Sequence, residues 1–387
     1  MIGMSAVIFI PDDTAKTGYP QPLMLSRVMG APLLAWLAGS LFDSGVGRFF
    51  LVCHDRYVEA ARACLPAEAE VMTTMDSDPA DLLHVFLSTA EDAEHTITVV
   101  TGPAVYLPQL APQAAGRFPR VYGVSREELM QALDEHFSFA RFLLDNGSPM
   151  NEEQAMYSVA SPAELPEIAG LLQRNRLLAL ARTGVEIYDA SSCYVEPSVR
   201  VAPGARLLPG TMLRGKTVIG EEAVIGPWSV IDDSVIGARA VVNASQVRES
   251  RVGQDAVVGP YASVRGGCEL GRSVRAGSFV ELKNARLGEN TQVPHLAYLG
   301  DTEAGANCNF GCGVTTANFD RVQKHETVVG EGAFIGCNTA LIAPLQVGSG
   351  AYIGAGSTIT EDVPAQALGI ARARQSNKKE WAAKHKK

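Results

Sequence analysis

A six-residue spacing dominates the second half of the chain. Apolar residues fall at Val252, Val258, Val264, Leu270, Ala276 and Leu282, and again at Val329, Ile335, Leu341, Val347, Ile353 and Ile359. Ile219, Ile225 and Ile231 keep the same interval upstream, and small or modest residues recur four places after the beat at Ala333, Thr339, Ala351 and Ser357. A helix repeats near 3.6 residues and a simple strand near 2, so neither produces a period of six. A hexapeptide repeat fits one flat face of a β-solenoid, with the beat residue pointing into a prism and three faces completing a coil of about 18 residues. Such a scaffold names no function; the departures from the beat are where function is sought.

Two departures stand out. The first lies between Leu282 and Leu299, contains a five-residue step from Leu282 to Leu287, and delivers His295 within "TQVPHLAYLGD" (291–301). The second is "ANFDRVQKHET" (317–327), which leaves the repeat after Thr316 and is long enough to project from the prism and reach a neighbouring chain. An imidazole placed at such a break has an ordinary pKa near 6.5 and suits proton transfer at neutral pH.

The first 150 residues have another rhythm. "SAVIFI" (5–10), "RFFLVC" (48–53) and "HTITVV" (95–100) are apolar runs of strand length, separated by "PLLAWLAGSLFDSG" and "RYVEAARACL", whose spacing is helical. Strands alternating with helices predict a parallel α/β sheet. Ser161, Pro162 and Glu164 sign a helix start, with an apolar stripe through Ile168, Leu171, Leu172 and Leu178 that stops at Gly184. The expected organisation is an α/β domain over 1–158, a helical arm over 159–185, a solenoid over 186–370 and a basic tail over 371–387.

Formal net charge is −9, while "ARARQSNKKEWAAKHKK" (371–387) carries seven Lys/Arg and one Glu, so the remainder is strongly acidic. That balance excludes a general nucleic-acid binder, and the tail suits a phosphorylated small ligand or a solvated terminus. The seven cysteines form no secreted disulfide pattern and no zinc-site spacing. The N-terminal apolar run stops at Pro11-Asp12-Asp13, without the features of a signal peptide or membrane span, so the expected compartment is the cytoplasm.

"VRGGCELGRSVRAGSFVELKNARLG", "PHLAYLGDTEAGANCNFGCG" and "ANFD" resemble the acetyltransferase half of the bifunctional GlmU-type enzymes, over roughly residues 185–375. Members of that family acetylate glucosamine-1-phosphate and then uridylylate the product. The resemblance implies a left-handed parallel β-helix, acetyl-CoA as co-substrate, and a homotrimer with three sites between subunits. It makes His295 the catalytic base and places Arg265 and Lys283 on the sugar phosphate. Tyr298, Asn309, Asn318, Phe319 and Lys324 match further substrate contacts, and Glu281 is placed to orient the amine or the imidazole. Cys312, Cys337 and Ala355 line the acetyl-CoA path, and Arg372 meets the nucleotide phosphates of the coenzyme. Phe319 departs from the family's usual Tyr and has no phenol to donate.

The same resemblance implies a sugar-nucleotide pyrophosphorylase fold for the first half, opening on a Gly-rich, Arg-containing phosphate loop. Here "FIPDDTAKTGYPQPLM" has two Asp where a phosphate would sit and Gln21 where the family has Lys, with Lys16 a partial substitute. Pro103 and Ala160 fall where the family has its magnesium-binding Asp and Asn, and neither side chain can coordinate a cation. The expected function is therefore acetyl-CoA-dependent acetylation of glucosamine-1-phosphate, with uridylyl transfer and magnesium absent. The alternatives are acetylation of another amino sugar or nucleotide sugar, a fully bifunctional enzyme, and a non-catalytic sugar-phosphate-binding protein.

Overall fold

The computed structural model describes residues 4–74, 79–90, 95–110, 120–134, 139–150 and 155–385, so the last two residues of the basic tail lie outside them. Two compact units are distinguished: Met1–Thr183 with Tyr194–Val199, and Gly184–Cys193 with Arg200–Lys387.

In the first unit the three apolar runs become β1 (Ser5–Ile10), β2 (Arg48–Cys53) and β4 (Thr96–Val100), with α1 (Leu33–Asp43), β3 (Glu70–Thr74) and α2 (Ala80–Ser88) between them. The runs are apolar throughout because both faces of the sheet are covered. Ala6, Ile8 and Ile10 pack with Leu34, Leu37 and Leu41 of α1, while Val7 and Phe50 pack with Leu83, Phe86 and Leu87 of α2. Two further strands, β5 (Val121–Ser125) and β6 (Ser148–Met150), give the order β3-β2-β1-β4-β5-β6. β1 to β4 are parallel, but β5 and β6 each run antiparallel to the strand before. The Rossmann-like sheet is thus mixed, not parallel throughout. After β4 the chain enters the short strand Ala104–Tyr106, which pairs antiparallel with Met156–Ser158.

The helix expected from Ser161 begins later. A 3₁₀ turn, Pro162–Glu164, precedes α3 (Leu165–Arg182), and Ser161 does not cap it. Instead Glu164 gathers the chain, accepting from the Ala160 N–H at 3.3 Å and the Ser161 hydroxyl at 3.4 Å. Ile168 and Leu172 are buried in one apolar cluster with Trp36, Val105 and Tyr157, so the helix is part of this unit's core. Toward its C-terminal half Leu177 and Leu180 are buried and Leu178 faces outward. Arg176 reaches the Asp43 carboxylate at 3.3 Å and the Val199 carbonyl at 2.5 Å.

The second unit is a left-handed parallel β-helix. All fifteen beat residues named above are 4% exposed or less, and Ala333, Thr339, Ala351 and Ser357 are buried with them. Successive coils stack in parallel register, and the register gives the coil length. Ser263 pairs with Glu281, a step of 18, but Val230 pairs with Gln246 and Glu281 with Tyr298, steps of 16 and 17. Thr315 pairs with Ala340, a step of 25 that accommodates the excursion at 317–327. Prism corners use the left-handed backbone, as at Phe279 (φ +59°) and Leu296 (φ +37°) on one edge and Asn284 (φ +50°) and Asp301 (φ +47°) on another. Asn and Asp tolerate that region better than most residues.

Candidate active site

Most solenoid strands are two or three residues long, but β8 (Arg275–Lys283) and β9 (Gln292–Gly300) each run for nine, following β7 (Ser263–Arg265) in chain order. β8 and β9 are in register along their length, with Ser278 opposite His295, Glu281 opposite Tyr298 and Lys283 opposite Gly300. Both pass a corner, at Phe279 and Leu296, and pair on either side of it. His295 stands beside that corner with its side chain exposed, while Val293 and Ala297 on either side are buried. The break in the beat thus turns the imidazole out of the prism.

Later coils continue this edge. The Gly313 N–H bonds the Leu296 carbonyl at 2.7 Å, the Asn338 N–H bonds the Cys312 carbonyl at 2.7 Å, and the Gly356 N–H bonds the Cys337 carbonyl at 2.8 Å. His295, Cys312, Cys337 and Ala355 each precede a left-handed corner residue (Leu296, Gly313, Asn338 and Gly356), and Gln292 and Tyr298 pair with Asn309 and Thr315 at a step of 17, so the four form one column, a residue per coil at about 4.8 Å spacing. Cys312 is half-buried, whereas Cys337, Ala355 and Arg372 are exposed. Arg372 Cδ lies 3.7 Å from where a Cβ on Gly356 would stand, which places it at the far end of the column.

The next face carries the charges. Arg265 pairs with Lys283 in register and turns its guanidinium to an ion pair with Glu281. That brings its head level with Tyr298, three residues from His295 and so at most about 10 Å along the strand. Lys324 comes from the excursion to stand against Lys283; with Arg265 and desolvation it holds the Lys283 ammonium below the usual lysine range, while Asp301 opposes that shift. Asn318 is buried, and its amide donates to Asp301 Oδ2 at 2.5 Å. A Cβ on Gly300 would strike Tyr298 Oη and lie 2.7 Å from Asn318 Nδ2, so these two side chains crowd the same spot.

The excursion is a tight hairpin closed by a bridge between Phe319 and Lys324. Asp320 accepts from the Val322 and Gln323 amides at 2.8 Å each and pairs with His325 Nε2 at 2.7 Å. Those donors hold its carboxyl far below the usual carboxylate range. Phe319 and Val322 face solvent, 61% and 88% exposed.

One expected substrate residue lies apart. Asn309 pairs with Gln292 and Phe334 on the face before the His295 corner, so a single chain does not bring it to Arg265 and Lys283. Asp301, which the sequence reading passed over, joins the cluster instead. Its only sequence signal is its place two residues after Leu299, at a corner where the beat resumes.

In the first unit, the Val159 N–H donates to the Pro103 carbonyl at 2.8 Å, so Pro103 and Ala160 are neighbours in space. Their side chains supply no oxygen, and the pair does not fit the magnesium ion that the resemblance would place there. The loop after β1 is folded on itself: Asp12 accepts from the Thr14 hydroxyl at 2.7 Å and pairs with Arg56, and Asp13 accepts from the Leu23 amide at 2.9 Å. Thr14 chiefly, with Arg56, keeps the Asp12 carboxyl below its ordinary value.

Residues 326–361 match the bacterial transferase hexapeptide (six repeats) family. Bifunctional protein GlmU of Clostridium kluyveri is 43% identical over 237 residues, 61% of this chain and 52% of that protein. GlmU of Brevibacillus brevis is 44% identical over 221 residues, 57% and 48% of the two chains. Over such stretches the chain is a homologue of the GlmU proteins. It spans about half the length of these relatives. Among solved structures, the UDP-N-acetylglucosamine acyltransferase from Campylobacter jejuni is 12% identical, covering 48% of this chain and 71% of that one with a TM-score of 0.30.

Proposed function

We propose that this GlmU homologue is an acetyl-CoA-dependent N-acetyltransferase acting on glucosamine-1-phosphate. The observation that carries the reading is the column of His295, Cys312, Cys337 and Ala355, which ends one face away from the cations Arg265, Lys283 and Lys324. An extended thioester arm laid along that edge would bring its acetyl carbon to the imidazole, with Arg372 left for the phosphates at the other end. His295 removes a proton from the ammonium, the freed amine adds to the thioester carbonyl, the C–S bond breaks, and the departing thiolate takes up the second proton that the nitrogen loses on becoming an amide. Positioned proton transfer is worth ~10²–10⁴ in rate. The phosphate meets Arg265 and Lys283, where a guanidinium fork and an ammonium complement a dianion. Tyr298, Asn318 and Lys324 border the same space, and Glu281 steadies Arg265.

A homotrimer is part of the proposal. Asn309 lies off the cation cluster within one chain, and the exposed Phe319 and Val322 project away from the prism, as expected if a neighbouring copy completes the site. Among the described residues no helix is long and apolar enough to cross a membrane, in keeping with a cytoplasmic enzyme.

Uridylyl transfer is proposed to be lost, and no magnesium-dependent step is assigned. Supporting this, Asp12 and Asp13 take up donors of the loop that would face a triphosphate, and Pro103 and Ala160 offer no ligand side chain. The test is purified protein with acetyl-CoA and a panel of amino sugars, read by free-thiol release. Glucosamine-1-phosphate should far exceed glucosamine; equal turnover of the two would overturn the phosphate assignment. Pyrophosphate release from UTP and N-acetylglucosamine-1-phosphate should be absent, and its presence would overturn the loss.

A further inference from the structure

The excursion at 317–327 is fastened at both ends by one residue, Asp301. Asp301 sits at a corner with left-handed backbone (φ +47°). Its Oδ2 accepts from Asn318 Nδ2 at 2.5 Å, near the start of the excursion, and its carbonyl accepts from the Thr327 N–H at 3.0 Å, at the end. Its Oδ1 accepts from Asn284 Nδ2 at 2.7 Å, and its own N–H donates to the Lys283 carbonyl at 3.0 Å. One residue thus holds both ends of a hairpin that carries Lys324, and it anchors them to the coil that carries Lys283.

We propose that Asp301 is a positioning residue: it clamps the excursion onto the solenoid, so that Asn318 and Lys324 are presented to the anion held by Arg265 and Lys283. The second half of this statement rests on the substrate reading above; the clamp does not. Asp301 is also the carboxylate beside a crowded set of cations. Lys324, desolvation and Arg265 all weaken the proton on Lys283, and Asp301 strengthens it. Without Asp301 the loop would lose its anchor and Lys283 would lose its counter-charge. An amide in its place offers one oxygen and one NH2 group, so it matches only one of the two asparagine N–H groups in their present orientation and carries no charge for Lys283.

Asp301→Asn keeps the shape while removing the charge and turning one acceptor into a donor. Hydrogen–deuterium exchange of a peptide spanning 317–327 reads the clamp without any need for activity. Exchange there should accelerate about tenfold, the scale of a lost charge-assisted hydrogen bond, with peptides of distant coils unchanged. KM for glucosamine-1-phosphate should rise about tenfold, with a smaller change in kcat. Should the variant fail to fold, Asn318→Leu removes the same contact from the loop side and should loosen the same peptide. Wild-type exchange in that peptide overturns the clamp. Accelerated exchange with an unchanged KM overturns the positioning role. If the unaltered protein acetylates no amino sugar, the substrate reading falls, and the exchange comparison still decides the clamp.

Discussion

Gly300 is the position where one methyl group should damage function and leave the fold intact. A Cβ there would stand 2.7 Å from Asn318 Nδ2 and closer still to Tyr298 Oη, against an ordinary contact of about 3.5–4.0 Å. The obstructing atoms, Tyr298 Oη and Cζ and Asn318 Nδ2, all belong to side chains, so these shift before the backbone does. The Gly300 N–H keeps its bond to Thr316 Oγ1 at 2.8 Å. Moving Asn318 by about 1 Å breaks its bond to Asp301, and a hydrogen bond to a charged group contributes about 1.5–3 kcal/mol. Gly300→Ala should therefore lower kcat/KM for glucosamine-1-phosphate roughly ten- to hundredfold. KM for acetyl-CoA should stay within about twofold, because the column from His295 to Ala355 lies on another edge. The assay is free-thiol release under varied amino sugar, with thermal unfolding run alongside. Unaltered kcat/KM would refute the crowding argument, and a collapsed melting transition would show that Gly300 serves the scaffold.

Three further outcomes follow from the geometry. Phe310 is fully buried inside the prism, so Phe310→Ala should cost about 3–5 kcal/mol in urea unfolding, and a loss below about 1 kcal/mol would contradict the packing. Lys283 titrates below the usual lysine range, so its charge is complete well below that lowered pKa and disappears as pH rises through it. A bound phosphate favours the ammonium, so binding at alkaline pH should take up a proton. Calorimetry in buffers of different ionisation heat measures this, and zero uptake would oppose the assignment. Cys337→Trp would obstruct the exposed column and should raise KM for acetyl-CoA at least tenfold with little change for the sugar; the reverse pattern would displace the path.

The solenoid was legible because an in-or-out choice every six residues is local information, and every beat residue named is buried. Coil length was less so: steps of 16 and 17 arise where corners shorten, and corner backbone leaves no apolar mark. In the first half the buried runs of β1, β2 and β4 were plain, but the direction of β5 depends on what the chain does after β4, which periodicity does not encode. The site divides the same way. His295 announced itself by breaking the rhythm, and the cations came through the family resemblance. That Cys312, Cys337 and Ala355 share an edge with His295 follows only once the 25-residue coil is known. Asp301 was silent in sequence because its role comes from two asparagines 17 residues away on either side.

The central claim is that the outward imidazole of His295 removes the proton from a sugar amine. Single-turnover acetyl transfer by His295→Gln, at saturating acetyl-CoA and glucosamine-1-phosphate, tests it most directly. The claim predicts a fall of ~10²–10⁴ in rate with the melting transition unchanged. A variant that transfers acetyl at the wild-type rate would contradict it.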